Sequence, residues 1–170
     1  MSVLPIRKYG DEVLRRRTEP ITTFDESLQK LIDDMVDTMY AAPGIGLAAN
    51  QVGVSKRVAV IDLSVGKRKG ELHVLVNPEI DEEQGKLTED EGCLSIPDMT
   101  EIVIRPERVH ARFLDRNGEP RDLWGEGLMA RALSHEIDHL DGKLFVDRLR
   151  GFKRDRIVRK IQKLARAGMW

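Results

Sequence analysis

The chain has 170 residues, a net charge of -1, one cysteine, 41% hydrophobic and 34% charged residues. That size predicts one domain, residues 1–170, with room for a real core. The composition is that of an ordinary soluble protein, near-neutrality argues against a polyanion binder as a whole, and the lone Cys93 excludes an internal disulfide and favours a reducing compartment. Met1–Lys8 lacks the apolar run of a signal peptide, and no stretch is long and apolar enough to span a membrane. A cytoplasmic protein with no membrane partner is therefore expected.

Residues 1–22 read as an irregular arm with a short helix around Asp11–Arg17. Thr23-Phe24-Asp25-Glu26 has the spacing of a capping box, and a helix should follow over Glu26–Ala41. Leu28, Leu31, Ile32, Met35 and Met39 recur at helical spacing and should face the core. Pro43-Gly44 ends that helix. Gly44–Gly53 is rich in small residues; it holds G-x-G but neither the third glycine nor the preceding strand of a dinucleotide loop. Its small residues suit a close backbone approach, with Gln51 as the polar group near its end.

Arg57–Asp62 and Leu72–Asn77 read as strands around a polar loop, Ser64–Gly70, with Asn77-Pro78 closing the second. The acidic stretch Glu79–Glu91 suits an edge strand. Glu101–Arg105 and Arg108–Leu114 are further strands, and Asp115-Arg116-Asn117-Gly118 is a hairpin turn into Pro120–Trp124. A helix over Gly127–Asp141 follows. Leu133, Ile137 and Leu140 form one apolar stripe on it, and Leu128, Ala132, His135 and His139 the neighbouring face. Gly142 is placed as its left-handed cap. A last helix runs over about Lys153–Ala167.

His135-Glu136-Ile137-Asp138-His139 carries the chemistry. Residues i and i+4 share a helix face, so both imidazoles can reach one metal ion, with Glu136 beside them to take a proton from water. A catalytic metal needs a third protein ligand and an open position. Phe145 stands where an extended peptidase motif would place its third histidine, and no glutamate follows Glu136. Asp141, Asp147 and Asp155 are open but carry no supporting pattern. Upstream, His73 and His110 lie in expected strands and suit half-exposed surface positions. Cys93, in a loop beside Gly92, is the preferred third ligand, since a thiolate binds divalent metals strongly. A zinc peptidase, and a structural metal site in a non-catalytic module, remain rival readings.

The stretches Gly44-Ile45-Gly46-Leu47-Ala48-Ala49-Asn50-Gln51, Glu91-Gly92-Cys93-Leu94-Ser95 and His135-Glu136-Ile137-Asp138-His139 resemble, in order, the three signature motifs of peptide deformylases. The resemblance spans essentially the whole chain and is nearest to the bacterial type with a C-terminal helix. Ser134 departs from a common glutamine, and Asn50 occupies a variable position. The resemblance implies an α+β fold, with antiparallel β-sheets wrapped around a central metal-binding helix, an N-terminal helix and a C-terminal helix. It implies hydrolysis of the N-formyl group from the formyl-methionine of new polypeptides, with release of formate. Its metal ligands map onto Cys93, His135 and His139, its general base onto Glu136. Its oxyanion donors map onto the Gln51 amide and the Leu94 backbone N–H. The ion implied is iron(II) in the cell, with zinc, nickel or cobalt as substitutes. Ile45, Leu128 and Ala132 are expected as walls of a methionine pocket, with Gly46 and Gly92 offering backbone to the peptide.

The C-terminal helix carries an apolar stripe, Ile157, Val158, Ile161 and Leu164, that should dock on the domain. Lys153, Arg156, Arg159, Lys160, Lys163 and Arg166 leave a basic remainder. It suits either a solvated helix face or contact with an anionic partner, for which the resemblance points to the ribosome and its RNA. The protein is expected to act as a monomer.

Overall fold

A computed structural model describes residues 2–170. Among the described residues, seven consecutive strands lie between a first helix and a final pair of helices: α1 (Glu26–Ala41), β1 (Gly46–Ala48), β2 (Val58–Ile61), β3 (His73–Gln84), β4 (Leu87–Cys93), β5 (Ile96–Arg105), β6 (Arg108–Leu114), β7 (Pro120–Glu126), α2 (Leu128–Leu140) and α3 (Phe152–Arg166). All strand pairs are antiparallel. Five strands form one sheet in the order β1-β2-β3-β6-β7, and β4-β5 form a separate hairpin. This is the expected α+β architecture, with α2 packed between the two sheets.

Several elements begin or end elsewhere than the sequence suggests. The cap of α1 is Asp25, whose carboxylate accepts from the Leu28 N–H at 3.0 Å; Thr23 is not used. An aspartate two residues nearer the helix reaches the free N–H groups of the first turn directly. The helix expected over Asp11–Arg17 is a single 3-10 turn, Glu12–Arg15. Asn77-Pro78 does not close β3, which runs on to Gln84 across a register shift between Val76 and Glu79. Asn77 takes a left-handed conformation there (φ 51°), and its amide both donates to and accepts from the Ile21 backbone at 2.8 Å. Those bonds replace ladder bonds that the proline nitrogen cannot make. β5 starts at Ile96 rather than Glu101, and the small-residue stretch contains β1, which has no alternating pattern because it is buried.

Leu28, Ile32, Met35 and Met39 of α1 are buried against Leu47, Val58 and Val60, while Leu31 packs at the margin. A second cluster joins Ile96, Met99 and Val103 of β5 to Phe145, Val146, Ile157 and Ile161. Phe145 is therefore core, which explains a phenylalanine where a peptidase would have a ligand. Docking Ile157 and Ile161 stabilises α3 by about 2 kcal/mol each. The N-terminal arm is irregular, as expected, but it ties the elements together. Its Arg7 and Tyr9 N–H groups donate to the Gln51 and Ser95 carbonyls, and Thr18 donates to Leu140 at the end of α2.

Candidate metal centre and active site

α2 is buried over Ala130–Leu140, although it carries Arg131, His135, Glu136, Asp138 and His139. A polar helix is buried at acceptable cost only if its charges are paired. Arg131 donates to Glu91 at 2.8 Å and to the Leu87 and Val103 carbonyls. Asp138 accepts from Arg105 at 2.6 Å and from Arg148 at 2.7 Å. Gly142 (φ 80°) closes the helix in the left-handed conformation; a Cβ there would sit 2.5 Å from the Arg15 carbonyl oxygen.

His135 and His139 point the same way, one turn apart, with their Nε2 atoms 3.0 Å from each other. β4 ends at Cys93, and its Sγ lies 3.2 Å from His139 Nε2. One donor atom from each of the three residues falls within 4.8 Å of the others. Among the described residues this is the one such cluster. The donor set fits a divalent cation. Glu91 accepts from His135 Nδ1 at 2.7 Å, so that nitrogen carries the proton and Nε2 presents its lone pair. Burial, reinforced by His135, holds His139 well below the usual histidine range, and so neutral. Two ring nitrogens and a sulfur directed at one point cannot all donate to one another; a cation there satisfies all three.

Glu91 has the pivotal supporting position. It bonds His135 on one oxygen edge and Arg105 and Arg131 as well, all within 3.0 Å. Burial alone would raise its pKa, but hydrogen bonds from His135 and Arg105 outweigh that and hold it well below the usual carboxylate range. Asn50 donates to the His139 carbonyl at 2.5 Å, which fixes the end of α2 against the first motif. Sequence reasoning assigned no role to Glu91, Arg105, Arg131, Asp138 or Asn50. The available signal was a charged residue in the inward register of a strand: Arg105 follows Glu101 and Val103 on the buried side of β5.

Glu136 lies on the wall of a cavity of about 580 Å³, with Ile45, Gly46, Gly92, Leu128 and Ala132 also lining it. Burial pushes its carboxyl up to about 7, and the neighbouring His135 opposes that rise. A carboxyl poised there can both take and return a proton near neutral pH. Its Oε1 has no hydrogen-bond partner among the described residues. Gln51 is fully buried. Its amide oxygen accepts from the Ala48 N–H, and its NH2 faces Ser95 Oγ at 3.1 Å and Cys93 Sγ at 3.7 Å. Leu94 lines the same cavity, beside Gly44. The cavity thus brings together Glu136, Gln51, Leu94, Cys93 and His135, with His139 buried behind them. His73 and His110 lie elsewhere. His110 is held between Asp81 and Asp122 on the large sheet, at 2.6 and 2.7 Å.

Residues 3–155 match the family model described as polypeptide deformylase. The chain is 51% identical over 170 residues to a peptide deformylase of Acidobacterium capsulatum, covering all of both chains. It is 52% identical to one from Alkalilimnicola ehrlichii, covering 99% of this chain and 94% of that one. Its structure is similar to a peptide deformylase from Legionella pneumophila, with a TM-score of 0.91, 50% identity and 98% of each chain covered. It is similar also to the Synechococcus elongatus peptide deformylase solved in complex with actinonin (TM-score 0.89, 42% identity, 94% of this chain and 88% of that chain).

Proposed function

We infer the workings of this site from the premise that the chain belongs to the polypeptide deformylase family. It is a hydrolase that removes the N-formyl group from newly made polypeptides, and it depends on a metal. The observation that carries this reading is the meeting of Cys93, His135 and His139, the first two lining a cavity whose wall also holds the Glu136 carboxyl.

Cys93, His135 and His139 would hold one divalent ion, which supplies acidification of water and polarisation of the formyl carbonyl. Iron(II) is the ion proposed for the cell, with zinc, nickel or cobalt as substitutes. Glu136 takes the proton from the attacking water and returns it to the departing amine. Negative charge then grows on the carbonyl oxygen. The Gln51 amide and the Leu94 N–H are neutral donors suited to meet it, each worth about 3 kcal/mol in sites of this kind. The formyl-methionine side chain rests on Ile45, Leu128 and Ala132, while Gly46 and Gly92 let the peptide backbone come close. The products are formate and a free methionine amine.

The whole chain acts as one domain and as a monomer in the cytoplasm. Its further partner is the ribosome, met through the basic face of α3. No described helix is long and apolar enough to cross a membrane.

Formate release from formyl-Met-Ala tests the reading, with acetyl-Met-Ala and an internal peptide bond as controls. Glu136→Gln should keep its bound metal and fold yet lose most activity. Turnover by that variant at the parent rate would overturn the role given to Glu136, and cleavage of internal bonds would restore the peptidase alternative.

A further inference from the structure

The substrate is a polypeptide, so the chain that follows its formyl-methionine must leave the cavity over some surface. The β4-β5 hairpin forms one wall of that cavity through Asp90, Gly92 and Thr100. Gly92 and Thr100 are cross-strand partners, and a Cβ built on Gly92 would lie 3.2 Å from Thr100 Cγ2. These residues therefore share the outward face of the hairpin. The next pairs on that face are Asp90 with Ile102 and Thr88 with Ile104. The strict alternation of β5 turns Met99, Glu101, Val103 and Arg105 inward and leaves Thr100, Ile102 and Ile104 exposed.

Exposed isoleucines in a row need a reason, because a single scattered one does not. Ile102 is 42% and Ile104 61% exposed, and Leu128, at the mouth of the cavity, is 53% exposed. Three of the seven large exposed hydrophobics among the described residues thus lie at the cavity mouth or on the sheet face that continues from it. Two residues of strand advance about 7 Å, so Ile102 and Ile104 stand about 7 and 14 Å beyond Thr100. A substrate in extended conformation spans that distance in about four residues.

We propose that the outer face of the β4-β5 hairpin, from Thr100 through Ile102 to Ile104, is a track for the substrate chain downstream of formyl-methionine, and that it favours apolar residues there. The proposal rests on the deformylase reading of the cavity. Its occupant is the substrate itself, because the face is continuous with the wall of the substrate cavity. The track adds apolar contact in the ground state and the transition state alike, so its effect falls on KM rather than kcat.

The test uses the metal-loaded full-length protein and three peptides: formyl-Met-Ala-Ser, the same tripeptide extended by Val-Leu-Val-Leu-Lys-Lys, and the same extended by Gly-Ser-Gly-Ser-Lys-Lys. The apolar extension should lower KM about three- to tenfold relative to the polar one, with kcat unchanged. Ile102→Thr and Ile104→Thr, singly and together, should remove that advantage and leave tripeptide hydrolysis as in the parent. Equal KM for the two extensions in the parent overturns the track without any variant. So does an advantage that survives both substitutions. Sedimentation supplies the remaining arm: substitutions that change the oligomeric state but not the peptide preference would make the face an interface between copies and overturn the track. Failure of the parent to hydrolyse even the tripeptide would overturn the deformylase reading itself and the track with it.

Discussion

Gly46 and Glu136 are packed so closely that any side chain on Gly46 would displace the carboxylate: a Cβ there would lie 2.5 Å from Glu136 Oε2 and 2.9 Å from its Cδ. β1 presses its backbone onto the carboxylate of α2 and so fixes where that carboxylate points. Gly46→Ala should push the Glu136 head group aside. A misplacement of about 1 Å costs on the order of a hundredfold in rate, so kcat should fall by about that factor while bound metal and thermal stability change little. A variant with full kcat would show that the carboxylate tolerates displacement.

Cys93→Ser replaces a thiolate by a weak neutral donor. Metal content after dialysis should drop well below one ion per chain, and activity should fall with it. Chelator treatment of the parent should abolish activity, and a divalent ion should restore it. A Cys93→Ser protein that keeps its ion through dialysis would make another residue the third ligand.

Glu91→Gln removes the charge that faces His135, Arg105 and Arg131. Buried Arg131 then loses its carboxylate partner and Arg105 one of its two, Asp138 being the other; breaking a buried pair typically costs about 3–5 kcal/mol of stability. His135 loses the acceptor that orients its ring, which should weaken metal binding by about ten- to a hundredfold. Chemical denaturation and metal titration read the two effects separately. Parent-like metal affinity in folded Glu91→Gln would leave Glu91 a purely structural residue.

His110 reports on pH. Hydrogen bonds from its ring to Asp122 and Asp81 raise its pKa above the ordinary histidine value. Its contribution to stability is therefore present below the unfolded-state value of about 6.5 and is lost as pH rises through the higher folded value. The melting temperature of His110→Gln should lie further below the parent at pH 5.5 than at pH 9. An equal gap at both pH values would remove the ion pairs from the explanation.

The basic helix α3 is less free than its sequence suggests. Arg156 is paired with Glu101, and Lys153 lies 3.9 Å from the same carboxylate. Ile157, Ile161, Leu164 and Trp170 pack on the second core, so deletion after Gly151 should destabilise the fold as well as remove charge. Reversing Arg159, Lys160 and Lys163 to glutamate tests the ribosome proposal more cleanly. Co-sedimentation with ribosomes should be lost, tripeptide hydrolysis should persist, and parent binding should weaken steeply with salt. Unchanged co-sedimentation would leave α3 a packing element.

The sequence by itself determined the local facts. Five residues at helical spacing put two imidazoles and Glu136 on neighbouring faces of one helix, because that periodicity is set by backbone geometry alone. The absence of a later glutamate and the phenylalanine at 145 pointed upstream to Cys93. Alternation made β6 and the second half of β5 legible, and the turn from β6 into β7 was legible from Asp115–Gly118. Only the tertiary structure decided the rest. β1 has no signature because a strand buried on both faces does not alternate. Asp25 rather than Thr23 caps α1, since the two differ by only one favourable bond. Above all, the ion network of Glu91, Arg105, Arg131, Asp138 and Arg148 joins residues up to 57 positions apart on three elements and the turn after α2. Charge pairing has no sequence period: it depends on which side chains burial forces together, and that is set only once the hairpin has closed over α2.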